Sequence, residues 1–266
     1  MNKKFLSLCL FNFKTMKLNI TLFFLFLLST TSIYVALTYD STQIKEFNMW
    51  NFYSVMFTGG PLVSALLFFY NLFLLFHCFQ SEKDSLFLKI RSGNSLLWFF
   101  SKIISIFLLN IIAITIATII ILLIGWLFWG FGNIWGGVNI HNSTSYKAFY
   151  SPIKIVIFNI VTYSFFITFL SEIVGYLMTK LKNKFIVIFL FILYFMADKT
   201  VNLKYFSFDK YTDLNCRCYY LYLNSNNYFT IKEGIFIPIL LTVIFSLIFI
   251  LLYFIKRFYL KRNLKV

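Results

Sequence analysis

The side chains that could do acid–base or metal chemistry are few and lie far apart along the chain. His77 and His141 are the only two histidines, and they stand beside different apolar segments. If those segments cross a membrane in alternating directions, the two imidazoles lie on opposite sides and cannot share a metal ion or a proton relay. The sequence has no HExxH, no paired-aspartate motif and no GxSxG. We therefore expect no catalytic residue and no metal site.

A nucleotide-binding loop is also missing from the sequence. The pattern GxxxxGK followed by Ser or Thr, whose backbone amides would hold phosphates, does not occur. We expect no cofactor on this chain. If ATP powers its function, the ATPase is a separate polypeptide.

Glu172, in the sequence FLSEIVGY, is the one acidic residue well inside an apolar segment. A charge at membrane depth is costly and usually faces a bundle interior or a wet cavity. Two interpretations stay open: Glu172 lines a transport pathway, or it makes a structural hydrogen bond to a neighbouring helix. The same alternatives, pathway lining or helix packing, apply to three amide side chains in other apolar positions. These are Asn71, Asn110 and Asn159.

A polar segment, residues 80–102, separates two of the most apolar parts of the chain. Ser81 followed by Asp84 is typical of a helix start, because the hydroxyl can accept a freed backbone N–H and the carboxylate suits the positive first turn. Three apolar residues then recur on one helical face. They are Leu86, Phe87 and Ile90. The pattern predicts a short amphipathic helix over 81–92 at the membrane surface; the alternative is an ordinary solvated loop.

The composition indicates a membrane protein. Of the 266 residues, 60% are hydrophobic and only 12% are charged, with a mean hydropathy of +0.81. A typical soluble domain carries about 25% charged residues. The net charge of +15 does not indicate nucleic-acid binding, because the basic residues cluster at the ends of apolar segments instead of forming a basic stripe.

The predicted fold is all-α, a polytopic membrane protein with six transmembrane helices, an N-terminal interfacial helix over 1–17, and both termini in the cytoplasm. The predicted spans are 18–38, 61–79, 98–129, 155–178, 185–200 and 234–255. With this topology 16 of the 24 Lys and Arg residues are cytoplasmic, as the positive-inside rule expects. The outer segment 39–60 is predicted to be polar, with Trp50 and Tyr53 as anchors at the membrane interface.

The arrangement resembles the permease subunits of ABC-2 type transporters. The basic amphipathic segment 1–17 is similar to the elbow helix of that family, and segment 81–92 is similar to its coupling helix, which docks on a cytosolic ATPase. Six spans with both ends inside and a long outer stretch before the last span complete the resemblance. It covers nearly the whole chain as a pattern of positions. Within the family, the chain looks like small subunits of lantibiotic immunity or antimicrobial-peptide export in low-GC Gram-positive bacteria.

The resemblance implies a permease subunit of an ATP-driven exporter in the bacterial plasma membrane, with a peptide or another amphipathic or lipophilic compound as cargo. Its expected partners are cytosolic ABC ATPase subunits that carry ATP and Mg²⁺, a second permease copy or a sibling permease, and membrane lipids, but no nucleic acid. The residues implied in ATPase coupling are Ser81, Glu82, Asp84, Leu86, Phe87, Ile90 and Arg91. The alternatives are a membrane-bound immunity or scaffold protein without transport activity, or an integral-membrane enzyme.

Overall fold

The structure is a computed structural model, and the part of the chain that it describes is helical, as predicted. It describes residues 3–15, 18–39, 47–58, 62–80, 95–133, 151–181, 183, 185–190, 192–193 and 231–263. Three of the described helices are long and apolar enough to cross a membrane, namely Asn19–Thr38, Leu96–Trp129 and Pro152–Lys180. Two shorter apolar stretches, Leu66–Phe79 and Ile239–Ile255, lie in other helices. These lengths and compositions indicate a helical membrane protein.

Seven helices make up most of the described chain. They are α1 (Lys3–Thr15), α2 (Leu18–Thr38), α3 (Met49–Thr58), α4 (Leu62–Gln80), α5 (Ser95–Trp129), α6 (Pro152–Lys180) and α7 (Ile231–Asn263). Residues 185–190 are also helical. Helix α7 extends well beyond the predicted span 234–255, because the helical backbone continues into the basic C-terminal segment.

Helix α5 is the central element of the bundle. It packs against α1, α2, α3, α4 and α6. Its 35 residues make a helix roughly 50 Å long, whereas the hydrocarbon layer is about 30 Å thick. Helix α5 is therefore long enough to pack against other helices both within the membrane and beyond one of its surfaces.

The contacts between helices fix their relative directions. On α5, Asn110 contacts Asn71 of α4, and Lys102 contacts Cys78 of α4. Residue numbers rise along one helix as they fall along the other, so α4 and α5 are antiparallel. Helix α6 is parallel to α4, because Asn71 meets Ser171 and the Phe79 ring lies beside Gly175.

Helices α6 and α7 are also parallel to each other. Four contacts advance together along both helices, in the order Phe165 with Thr242, Phe169 with Phe245, Glu172 with Ser246, and Tyr176 with Phe249. The C-terminal ends of α4, α6 and α7 therefore lie at the same end of the bundle as the start of α5. We call this the α4–α5 end.

Part of the segment 39–60, which was predicted to be a polar outer segment, forms the buried helix α3. Residues 49–54 are all buried, and the helix packs against α2, α4 and α5. Trp50 and Tyr53 are not interface anchors, because they are only 6% and 0% exposed and lie inside the bundle. The physical reason is that a ten-residue helix rich in aromatic side chains gains more by packing between longer helices than by lying at a surface.

Local sequence explains why α3 begins where it does and how it reaches α5. The Asn48 side-chain oxygen accepts the backbone N–H groups of Trp50 and Asn51 at 3.0 and 3.4 Å, which is helix N-capping. On α5, Gly125 permits a close approach, since a Cβ placed there would lie 3.0 Å from the Met49 Cα. The missing side chain on α5 is therefore what lets α3 pack against the backbone of its neighbour.

Candidate functional site

Three amide and hydroxyl side chains meet in the interior where α4, α5 and α6 converge. The Asn110 Nδ2 donates to Asn71 Oδ1 at 3.1 Å, and the Ser171 hydroxyl lies 3.1 Å from the same oxygen. All three residues are at most 3% exposed. The Asn110 Oδ1 is buried without a hydrogen-bond partner in the described part of the chain. Two of the amides predicted from sequence, Asn71 and Asn110, thus bind each other and tie three helices together.

Glu172 lies next to this cluster along α6 but faces α7. The Ser246 hydroxyl donates to Glu172 Oε1 at 2.7 Å, while Oε2 is buried with no hydrogen-bond partner among the described residues. The residue as a whole is 2% exposed. A second polar contact joins the same two helices, because the Thr242 hydroxyl lies 3.3 Å from the Phe165 carbonyl oxygen. Glu172 therefore belongs to a row of contacts that holds α7 on α6.

Substitutions at Glu172 should separate its structural and transport interpretations. The change Glu172→Ala removes the acceptor of the Ser246 hydroxyl and leaves a cavity, so we expect a loss of about 2 kcal/mol in the free energy of unfolding. Glu172→Gln keeps the side-chain shape and an acceptor oxygen, and we expect it to be as stable as the parent. Thermal unfolding in mild detergent, followed by size-exclusion chromatography, measures both.

The matched control is Ser246→Ala, which removes the other half of the same contact. Combined with Glu172→Ala, it should add little further loss, because two changes that remove one interaction are not additive. A Glu172→Gln variant that is fully stable but loses transport activity would contradict a purely structural role and favour the pathway interpretation.

Asn159, the third predicted amide, lies elsewhere in the bundle. Its Nδ2 is 3.2 Å from the Tyr53 hydroxyl, so this contact joins α6 to α3. Both residues are almost fully buried. The structure thus brings Asn71 and Asn110 together and places Asn159 in a separate contact.

A buried lysine at the α4–α5 end was not identified as a site residue by the sequence. The Lys102 Nζ donates to the Cys78 carbonyl oxygen in the last turn of α4. It also lies 4.5 Å from the centroid of the Trp98 ring and 4.9 Å from that of Phe79. With 7% exposure, this is a desolvated cation held by a carbonyl dipole and two aromatic faces. The sequence did contain a signal for this site, namely a lysine inside an apolar segment with aromatic residues next to it.

Helix α1 is bound to the same part of α5, residues 98–105. The Asn12 Nδ2 donates to the Ser101 hydroxyl at 2.9 Å, and the Ser105 hydroxyl lies 2.9 Å from the Cys9 carbonyl oxygen. Over this stretch α1 runs antiparallel to α5, with Leu6 and Leu10 on its exposed side. Burial raises the pKa of the Cys9 thiol, so this cysteine stays protonated and is a poor nucleophile at neutral pH.

The residues predicted to couple to an ATPase lie outside the described residues. They are Ser81, Glu82, Asp84, Leu86, Phe87, Ile90 and Arg91. The structure does describe the two helix ends that flank them, Gln80 of α4 and Ser95 of α5.

Within the described residues, no group of three or more His, Cys, Asp or Glu side chains comes close enough to hold a metal ion. Comparisons with protein-family models, with curated proteins and with solved structures found no match to this chain.

Proposed function

We propose that this chain is the membrane-spanning permease subunit of an ATP-driven exporter of the ABC-2 type, with both termini in the cytoplasm. The cargo is a peptide or another amphipathic compound, and a separate ATPase subunit supplies the energy. A second copy of the chain, or a sibling permease, completes the transporter in the bacterial plasma membrane.

The main support is the geometry at the α4–α5 end. Antiparallel α4 and α5 end and begin side by side, with only residues 81–94 between them. This connection carries the apolar and charged residues of the predicted coupling helix. Lys102 joins α4 to α5 at the base of the hairpin. A force applied to the connection would therefore be transmitted to α4 and α5 together.

The helix directions support six spans. Because α6 and α7 are parallel, the chain between Lys180 and Ile231 has to return to the opposite end of the bundle before α7 begins. One crossing by the apolar segment 185–200 satisfies this requirement. With six spans, most of the Lys and Arg residues would lie at the α4–α5 end, which the positive-inside rule would then make cytoplasmic.

The proposal is tested by purifying the tagged chain from a Gram-positive host that also carries the genes adjacent to the one that encodes this chain. We expect a soluble protein with a Walker motif to co-purify in stoichiometric amount in mild detergent. As a control, residues 83–91 are replaced by a Gly-Ser linker of equal length, which should insert normally but lose the ATPase. Recovery of the parent chain with no ATPase, even after cross-linking in intact cells, would contradict the proposal and favour an immunity protein or an enzyme.

A further inference from the structure

At the base of the α4–α5 hairpin, a lysine side chain reaches from one helix to the other. Lys102, in the second turn of α5, donates to the Cys78 carbonyl oxygen in the last turn of α4. Carbonyls in the last turn of a helix lack intrahelical partners and carry the negative end of the helix dipole, so a cation is a well-matched donor there.

Aromatic rings from both helices enclose the lysine. Phe79 of α4 and Trp98 of α5 pack edge to face, with centroids 5.9 Å apart, and the Nζ lies within 5 Å of each centroid. Cation–π attraction strengthens when water is excluded, and this side chain is 7% exposed. The charge therefore bonds to the end of α4 and to rings on both sides of the hairpin.

The clamped turn is also the meeting point of other helices. Ser101 and Ser105, on either side of Lys102 in sequence, contact Asn12 and the Cys9 carbonyl of α1. Helix α6 approaches the same place, since a Cβ at Gly175 would lie 3.1 Å from the Phe79 ring. The Phe99 ring is 5.8 Å from that of Phe249 on α7. Displacement of this turn would thus change its contacts with α1, α4, α6 and α7.

We infer that Lys102 is the positioning residue that makes the α4–α5 hairpin move as one unit, so that force applied to residues 81–94 enters the bundle through residues 98–105. This inference rests on the proposed function for its role in transport, but the clamp itself is a property of this chain alone. Two measurements therefore test it separately.

The first measurement is the distance between the two ends of the hairpin. Gln80→Cys and Ser95→Cys are introduced after Cys9, Cys78, Cys216 and Cys218 are replaced by Ser, and spin labels are attached. The parent should give one narrow distance distribution by pulsed electron resonance. Lys102→Met keeps the alkyl chain and removes the charge; since both the cation–π contact and the charge-assisted hydrogen bond are lost, the unclamped population should rise about tenfold and broaden the distribution.

Two further variants separate charge from packing. Lys102→Arg keeps a cation that can reach a carbonyl and stack on aromatic rings, so it should restore the narrow distribution. Ile104→Met changes a partly exposed side chain two positions away and serves as the control for disturbance of α5. The clamp hypothesis is refuted if the distance distribution of Lys102→Met is as narrow as that of the parent. It is also refuted if Ile104→Met broadens the distribution to the same extent as Lys102→Met. If Lys102→Met does not survive size-exclusion chromatography, Lys102→Gln, which keeps a hydrogen-bond donor but no charge, takes its place.

The second measurement uses the purified complex with its ATPase in proteoliposomes. In Lys102→Met we expect ATP hydrolysis to stay within about twofold of the parent while export per ATP falls about tenfold, because loss of the clamp weakens transmission and not docking. Equal loss of hydrolysis and export would overturn the transmission role. Absence of any ATPase in the complex would refute the proposed function, and the distance measurement would still decide whether Lys102 clamps the hairpin.

Discussion

The double substitution Phe87→Asp with Ile90→Asp is expected to abolish export while the protein still inserts in the membrane. Both residues lie on the apolar face of the predicted helix 81–92, together with Leu86. Docking on an ATPase would bury that face, and burying two unpaired carboxylates costs several kcal/mol each. The loss of affinity from two such charges is large enough to remove the contact under cellular conditions.

Two assays measure the effect. Retention of the ATPase on the tagged chain should fall to background, and export in intact cells should fall at least about a hundredfold, which corresponds to a loss of about 3 kcal/mol or more. The matched control is Ser85→Asp with Ser92→Asp, which adds the same two charges on the opposite face of the predicted helix. Normal export by the Phe87→Asp, Ile90→Asp variant would refute the assignment of this segment, and equal damage by the control would show a general charge effect.

The substitution Gly125→Val should strongly destabilise the contact between α3 and α5. A Cβ at this position would lie 3.0 Å from both the Met49 Cα and a ring carbon of Phe52, and 3.2 Å from the Met49 carbonyl oxygen. Two of those three atoms belong to backbone, which cannot rotate away as a side chain can. We expect α3 to be displaced, with a loss of about 3 kcal/mol or more in stability.

The measurement is the fraction of protein that stays monodisperse after heating in mild detergent. Gly125→Ala should show a smaller loss, because its methyl group requires a shift of only a few tenths of an ångström. Leu127→Val is the control, since it introduces the same β-branched residue into the same helix at a site that is 75% exposed. Stability of Gly125→Val equal to that of Leu127→Val would show that α3 does not pack against α5 as described.

The long apolar helices could be predicted from sequence because length and hydropathy alone define them. Helix α2 begins at Leu18 and α6 contains the whole predicted span 155–178. Helix α3 was missed because ten residues are too few for a span and their polar neighbours suggested a loop. Two signals were present in the sequence, the capping residue Asn48 and the aromatic run that follows it.

The pairing of polar side chains could not be predicted, because it depends on which faces of different helices meet. Asn71 and Asn110 were identified as candidates, yet nothing in the sequence indicates that they bind each other while Asn159 binds Tyr53. The partner of Glu172, Ser246, lies 74 residues away along the chain. Such contacts are set by helix rotation within the bundle, which periodicity does not define when apolar residues surround the whole helix.

The enclosure of α3 has a consequence for how the protein is made. Its last residue, Thr58, is synthesised well before two of the elements that contact it, since Trp129 ends α5 and Asn159 lies on α6. At about 5–20 residues per second, roughly 5–20 s pass before Asn159 is synthesised. Until α5 and then α6 are made, the aromatic segment lacks its native partners on those two helices. An insertase or the lipid interface would have to shelter its aromatic side chains until α5 and α6 are made, so this short helix is a vulnerable step of biogenesis.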